Sequence, residues 1–470
     1  LRQGGSQRRS LECCCMTDNF VFDQELINRY DRAGPRYTSY PTAVEFHDEF
    51  TIRDLLKAEG HSKALSLYFH IPFCDTVCFY CACNKIATKD RSKVEPYLKA
   101  LEQEMLMQAN LLDWQRPVEQ LHWGGGTPTF LSDEQMVWLM SRTKSLFNML
   151  DNDEGQYSIE IDPREVSPTT LRTLREIGFN RLSLGLQDLD ERVQVAVNRV
   201  QSAELTFGVM QQARELGFKS VSLDLIYGLP HQSWMSFEKT LDEVIEARPD
   251  RLSVFNYAHM PTRFKPQRRI NEADLPSAAD KLEIMHKAGE KLQAAGYVFI
   301  GMDHFALPGD ELALAQEEGH LHRNFQGYTT HAHCDLLAFG VSSIGNVGNT
   351  FSQNVKTLDE YYAAIEKNTL PIERGLVLNR DDVIRQDVIT QLICQFALNF
   401  NQIDQAWRIQ SSDYFADELI ALEQMQKDGL LVLSEDGLQV TQPGRLLIRN
   451  ICMVFDRYLP EAQHRFSRAI

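Results

Sequence analysis

From residue 66 to about residue 306 the chain alternates short apolar runs with longer amphipathic segments, and no other feature restricts its fold so much. Strand-like runs fall at 66–70, 120–123, 157–161, 181–184, 220–225 and 252–255, with a fainter seventh at 297–301. Between them, apolar residues recur at three- and four-residue steps over 94–112, 134–146, 168–177, 203–216, 234–247 and 278–295, the helical period. Strands separated by helices pair in parallel through right-handed crossovers, as a β/α barrel or as an open doubly wound sheet. The polar residues choose between the two. Cysteines follow the first strand, and Gly124-Gly125-Gly126-Thr127 follows the second. Glu160 and Asp162 end the third, Gln187 follows the fourth, Asp224 ends the fifth, and Asn256 to His259 follow the sixth. Chemistry at the C-terminal end of every strand belongs to a barrel, whereas an open sheet gathers it at one switch point. The expected fold is α/β: a partial (β/α)6 TIM-like barrel over 61–358, preceded by an arm over 16–60.

After residue 359 the pattern changes to helical segments at 380–396 and 415–428, a strand pair at 430–433 and 438–440 around Glu435-Asp436-Gly437, and a last helix from Pro443. This predicts a C-terminal helical, winged-helix-like domain over 359–470. Such modules often bind DNA, but residues 371–470 carry ten Lys+Arg against fourteen Asp+Glu, a poor phosphate binder. A lid or packing role fits better.

With 470 residues and 43% hydrophobic content the chain can bury a large core. Its formal charge of −17 argues against nucleic acid or an anionic membrane as the main partner, though a local Arg pocket can still hold an anionic small molecule. No apolar stretch approaches the roughly 20 residues that span a bilayer. Ten cysteines in this length are too few for a disulfide scaffold, and a reducing cytoplasm is the expected compartment. Residues 1–15 end in Cys13-Cys14-Cys15, lack the apolar middle of a signal peptide, and are expected to be a non-native, disordered extension.

The most specific chemistry lies after the first strand, in Cys74-x3-Cys78-x2-Cys81-x-Cys83. Three thiolates on one short loop suit three irons of a 4Fe–4S cluster and leave the fourth iron open for a ligand. Cys83 lies two residues after Cys81, so in extended chain both project from one face, and it is expected beside the cluster without ligating it. The rival is a four-cysteine zinc knuckle. Zinc sites usually pair two separated hooks, and here all four cysteines fall within ten residues.

Other motifs extend the candidate site. The glycine run allows close backbone approach to a ligand, although a tight turn would also want glycine. Glu160, Gln187, Arg199 and Asp224 bring two carboxylates, an amide and a guanidinium to one barrel mouth, a set suited to an amino acid's charged groups and a ribose's hydroxyls. A salt bridge would equally explain Arg199. The segment Pro35-Arg36-Tyr37-Thr38-Ser39-Tyr40-Pro41-Thr42 is an extended, proline-bracketed arm with more aromatics than a linker needs. After the barrel, His320, His322, His331, His333 and Cys334 span a loop without ligand spacing, which argues against a metal site there.

The cysteine spacing, followed by the glycine run, resembles the radical S-adenosylmethionine (SAM) enzymes, in which SAM chelates the open iron. More narrowly, the chain resembles the oxygen-independent coproporphyrinogen III oxidases from about residue 22 onward. The resemblance rests on Gly34–Thr42, on Tyr68-x-His70-Ile-Pro-Phe-Cys74 with the cysteines that follow, on the glycine run, and on Glu160-Ile-Asp162-Pro163-Arg164, Gln187-Asp188 and Arg323–Thr330. It implies a radical SAM oxidative decarboxylation of two propionates of coproporphyrinogen III to vinyl groups, with a 4Fe–4S cluster and two molecules of SAM. It further implies Cys74, Cys78 and Cys81 as cluster ligands. Tyr68, Tyr80, Gly125, Gly126, Thr127, Glu160, Gln187, Arg199, Asp224, Ala258, Gln326 and Ile344 would hold SAM. His70 and Cys83 would tune or shield the site, and Arg36 is the candidate to grip a propionate. A flavodoxin- or ferredoxin-like electron donor and a monomeric state are expected, without nucleic acid or membrane. The rival from another class is a haem-binding chaperone of the same fold, whose members lack the fourth cysteine and the Arg36 arm.

Overall fold

The computed structural model describes residues 24–111, 115–459 and 466, so the expected extension at 1–15 lies outside the described residues. Six strands lie side by side in chain order: β1 (Ala64–Ile71), β2 (Pro117–Gly125), β3 (Gln156–Ile161), β4 (Arg181–Gln187), β5 (Ser220–Tyr227) and β6 (Arg251–Asn256). Each is parallel to the next. The linking helices are α1 (Val94–Leu111), α2 (Asp133–Leu146), α3 (Pro168–Ile177), α4 (Ala203–Glu215) and α5 (Trp234–Ala247), with α6 (Ala278–Ala294) after β6. Local signals set their ends. Ser132 caps α2 in a box with Gln135, and Gly178 closes α3 at φ +118°, a conformation open to glycine.

Period-two patterning explains which side chains reach the barrel interior. In β4, Leu182, Leu184 and Leu186 are buried in the core, which leaves Ser183, Gly185 and Gln187 on the other face. In β3, Tyr157, Ile159 and Ile161 are buried and Ser158 and Glu160 alternate with them; in β5, Val221, Leu223 and Leu225 are buried around Ser222 and Asp224. On these three strands the inner face is therefore polar, while the apolar face is buried in the core.

The sheet is larger than expected, with thirteen strands. The faint seventh run becomes β7 (Val298–Gly301), which joins β6 only through the antiparallel β8 (His304–Ala306). On the other edge β1 also pairs in parallel with β9 (Cys334–Phe339), and antiparallel β10 (Ile344–Val347), β11 (Thr350–Asn354) and β12 (Ile372–Val377) follow. The strand path ends at β7 and β12 without pairing between them among the described residues, so the barrel is partial. Strand β12 lies beyond residue 359, where the C-terminal domain was expected to begin, because it completes the edge of the main sheet on β11.

C-terminal to β12, α7 (Arg380–Gln395), α8 (Ala416–Lys427) and α9 (Ile448–Val454) surround a three-stranded sheet. Its hairpin Leu431–Ser434 and Gly437–Val440 matches the expected pair, and Ala397–Asn399 adds a third strand. The arm is trapped between this module and the barrel. Arg449 Nε donates to Pro35 O (3.1 Å), Tyr37 Oη to Asp456 (3.0 Å), and Gln386 Nε2 to Tyr40 O (2.9 Å).

Candidate active site

The cysteine loop leaves the end of β1 and is stapled shut at its base. Ile86 N–H donates to Pro72 O (2.7 Å) and Thr88 N–H to Cys74 O (2.9 Å). Its middle is tied to the segment after β4, where Phe79 N–H donates to Val197 O (2.9 Å) and Asn198 Nδ2 to Val77 O (2.8 Å). Cys74 and Cys78 are buried, Cys81 is half-buried and Cys83 exposed, all as free thiols. Thr127 Oγ1 lies 3.6 Å from Cys74 Sγ, and Cys78 Sγ receives Arg199 NH1 at 3.6 Å and Arg164 NH2 at 3.9 Å. Burial pushes the Cys74 thiol up to about 12. The Cys83 thiol hydrogen-bonds Cys81, which draws the Cys81 pKa down and pushes that of Cys83 up. Cys81 and Cys83 thus face the same way, as the i,i+2 spacing suggested.

The glycine run packs directly on this loop. Gly126 N–H donates to Ile71 O and Thr127 N–H to Phe73 O, both at 2.8 Å. A Cβ on Gly126 would stand 2.6 Å from Phe73 O, and Gly125, at φ +114°, has the His70 ring 2.7 Å from where its Cβ would be. Strand register then gathers the remaining polar ends: Ile71 pairs with Gly125, Ile161 with Leu184, Gly185 with Asp224, and Tyr227 with Asn256.

Two relays cross the mouth. Tyr68 Oη meets His70 Nδ1 at 3.1 Å, and His70 Nε2 meets Asn84 O at 2.8 Å. A carbonyl only accepts, so Nε2 carries the proton and Nδ1 accepts from Tyr68. Burial lowers the His70 pKa and keeps the ring neutral. Beside it His122 stacks on Tyr68 with centroids 5.9 Å apart, and its Nε2 reaches Glu160 Oε1 at 3.3 Å. Glu160 Oε2 also accepts from Gly125 N–H at 3.3 Å. Sequence reading missed His122; its pairing with Tyr68 in the β1–β2 register is the signal. Asp224 accepts from Ser183 Oγ at 3.1 Å, and burial raises its carboxyl to about 6, with the charge of Glu160 adding to the rise.

The other expected residues divide. Gln187 sits at φ +69° with its Oε1 buried and unbonded, and Gln326 Nε2 is likewise buried without a partner. Arg199 binds protein groups through two of its nitrogens: NH1 to Asp162 (2.9 Å) and Cys78, and NH2 to Gly185 O (2.7 Å). Its Nε is buried without a partner, so the salt bridge engages only part of the guanidinium. The Tyr80 carbonyl and that of Ala258 share Gln267 Nε2, at 3.0 and 3.2 Å, which fixes the cysteine loop to the segment after β6. Ile344 packs against the buried cluster of Phe46, Phe351 and Leu378. Arg36 reaches the barrel, where NH1 pairs with Asp303 (2.7 Å) and NH2 donates to Asn256 O (3.1 Å). Of the loop residues His320, His322, His331, His333 and Cys334, the last two lie beside Glu119 in a group that could hold a metal ion, contrary to the expectation from spacing.

The donor set fits a cluster ligated by thiolates. Two guanidiniums and a hydroxyl face the sulfurs, and a thiol pushed up by burial, like Cys74, gives its proton up outright to a coordinating cation. The unbonded amide oxygen of Gln187 and the glycine cradle fit a small polar ligand beside it.

This fold and loop define a radical SAM protein: the chain matches the radical SAM superfamily over residues 68–244 and the HemN C-terminal domain over 378–447. It is 54% identical over 463 residues, 97% of this chain and 100% of the relative, to the oxygen-independent coproporphyrinogen III oxidase of Pseudomonas aeruginosa. It is 51% identical to the enzyme of the same name from Escherichia coli, covering 96% of this chain and 98% of that one. The solved structure of coproporphyrinogen III oxidase (HemN) from Escherichia coli, described as a radical SAM enzyme, superposes with a TM-score of 0.88 at 50% identity over 94% of this chain and 100% of that one. The chain belongs to the oxygen-independent coproporphyrinogen III oxidases.

Proposed function

We propose that this protein converts two propionate side chains of coproporphyrinogen III to vinyl groups, giving protoporphyrinogen IX in oxygen-independent haem synthesis. The observation that carries the reading is identity above half across the full length of a family member. Cys74, Cys78 and Cys81 would hold a 4Fe–4S cluster, and Tyr68, Gly125, Gly126, Thr127, Glu160, Gln187, Arg199, Asp224 and Gln326 would hold SAM. Held there, the cluster and SAM would supply the radical chemistry for decarboxylation, each propionate losing CO2, one hydrogen atom to the SAM-derived radical and one electron to an external acceptor.

The chain's own residues do the rest. Arg164 and Arg199 offset the negative charge of Cys78, and the neutral His70 fixes the Tyr68 hydroxyl toward the mouth. Arg36, with Asp303, closes the arm over β6, and its half-exposed guanidinium is the candidate to meet a propionate. A second SAM, near Tyr80, Ala258 and Ile344, belongs to this proposal. So do a low-potential flavodoxin- or ferredoxin-type donor, a cytoplasmic monomer, and a C-terminal module that buttresses the arm. No helix among the described residues is long and apolar enough to cross a membrane. Anaerobic reconstitution tests the reading: protein loaded with iron and sulfide should form protoporphyrinogen IX only with SAM and a reductant. A loaded protein that leaves coproporphyrinogen III unchanged would refute it.

A further inference from the structure

A second group of metal-ligating side chains lies at the other end of the sheet. Glu119 stands near the start of β2 and Cys334 opens β9; both strands flank β1. Cys334 is in register with Ala64, the first residue of β1, whereas the cysteine loop follows Ile71, its last. Eight residues at about 3.3 Å each separate the two places by roughly 20 Å or more. A turn, Cys334 N–H to His331 O at 3.2 Å, sets His333 beside Cys334. His333 Nε2 lies 2.5 Å from Glu119 Oε2, and the nitrogen, the oxygen and the Cys334 sulfur all lie within 4.8 Å of one another. A second imidazole, His331, sits 5.8 Å from His333, ring to ring.

We propose that Glu119, His333 and Cys334 bind a divalent ion of borderline softness, Zn2+ foremost. One carboxylate, one imidazole and one thiolate are all accepted zinc donors, at about 2.0–2.2 Å for oxygen and nitrogen and about 2.3 Å for sulfur. Around a tetrahedral ion such ligand atoms stand roughly 3–4 Å apart. The present spacing closes onto it by small side-chain rotations: the carboxylate and imidazole move slightly apart and the sulfur moves in. Mg2+ and Ca2+ are disfavoured, because two of the three donors are nitrogen and sulfur. With three protein ligands and half-exposed surroundings, solvent completes the shell. The ion binds reversibly, clipping the loop before β9 to β2 and leaving the reaction chemistry untouched.

The test uses cluster-loaded holoenzyme in which Cys13, Cys14 and Cys15 are replaced by Ser, so that thiols of the N-terminal segment cannot compete. Anaerobic calorimetric titration with Zn2+ should show one saturable site per chain, and zinc X-ray absorption should show a single sulfur neighbour. His333→Ala, at an exposed position, and Cys334→Ser should each weaken binding by at least about tenfold, the scale seen even for lost outer-shell partners. Both should keep parental iron content and vinyl formation. No saturable zinc site in the parent, or equal affinity in both variants, would overturn the proposal.

Discussion

Two guanidiniums converge on Cys78, a hydroxyl faces Cys74, and a neighbouring thiol bonds Cys81, so each expected cluster ligand has its own polar companion. Cys83 differs from the three in being exposed and in serving Cys81. Ser at Cys74, Cys78 or Cys81 should abolish the brown chromophore, while Cys83→Ser should retain iron and lose activity; iron analysis and absorption spectra read both. Equal iron loss in all four variants would remove the three-ligand assignment. Asp224 offers a second residue-scale check. Its carboxyl is raised from 3.8 to about 6 chiefly by burial. A carboxyl raised on folding contributes stability that is full below about 3.8 and is lost as pH climbs through about 6. Apoprotein carrying Asp224→Asn should therefore melt higher than apo wild type near neutral pH, by on the order of 1–3 kcal/mol, with the gap closing in acid. The same variant should bind SAM more weakly. A gap that widens in acid would contradict the burial argument.

At the scale of elements, much was legible because each strand–helix unit announces itself. Alternating Leu and small polar residues in β4 mark both its state and its inner face. The strand-end motifs followed from that placement. What stayed hidden depends on pairing. Strands β10, β11 and β12 are short and gain their identity only from pairing with β9 and one another, and His122 becomes a site residue only through its register with Tyr68. Glu119 likewise carries no motif of its own, so its meeting with His333 and Cys334 could not be read along the chain. The contact between cradle and loop yields a prediction at this scale. A methyl at Gly126 has Phe73 O at 2.6 Å and no flexible neighbour to displace, so Gly126→Ala should shift the base of the cysteine loop and lose iron while the fold persists by circular dichroism. Full iron occupancy in that variant would show the cradle to be slack.

Across the whole molecule, the arm is one of the pieces that join barrel and C-terminal module, beside direct bonds from Gln316 and Tyr328 to the Cys394 and Ile393 carbonyls. Arg36 binds β6 and Asp303, whereas Pro35, Tyr37 and Tyr40 are held by Arg449, Asp456 and Gln386 of the module. The acidic module thus has a structural task that needs no nucleic acid. Removing Arg36 leaves those anchors intact, so Arg36→Ala should keep the cluster and slow, uncoupled SAM cleavage yet form almost no protoporphyrinogen IX. Product chromatography at wild-type levels would reduce the arm to a linker. Hydrogen transfer from propionate to SAM's adenosyl group is the central claim, and isotope tracing tests it most directly. With coproporphyrinogen III deuterated at the propionate β-carbons, the account predicts deuterium in the 5′-deoxyadenosine recovered alongside the vinyl product. Vinyl formation accompanied by unlabelled 5′-deoxyadenosine would contradict it.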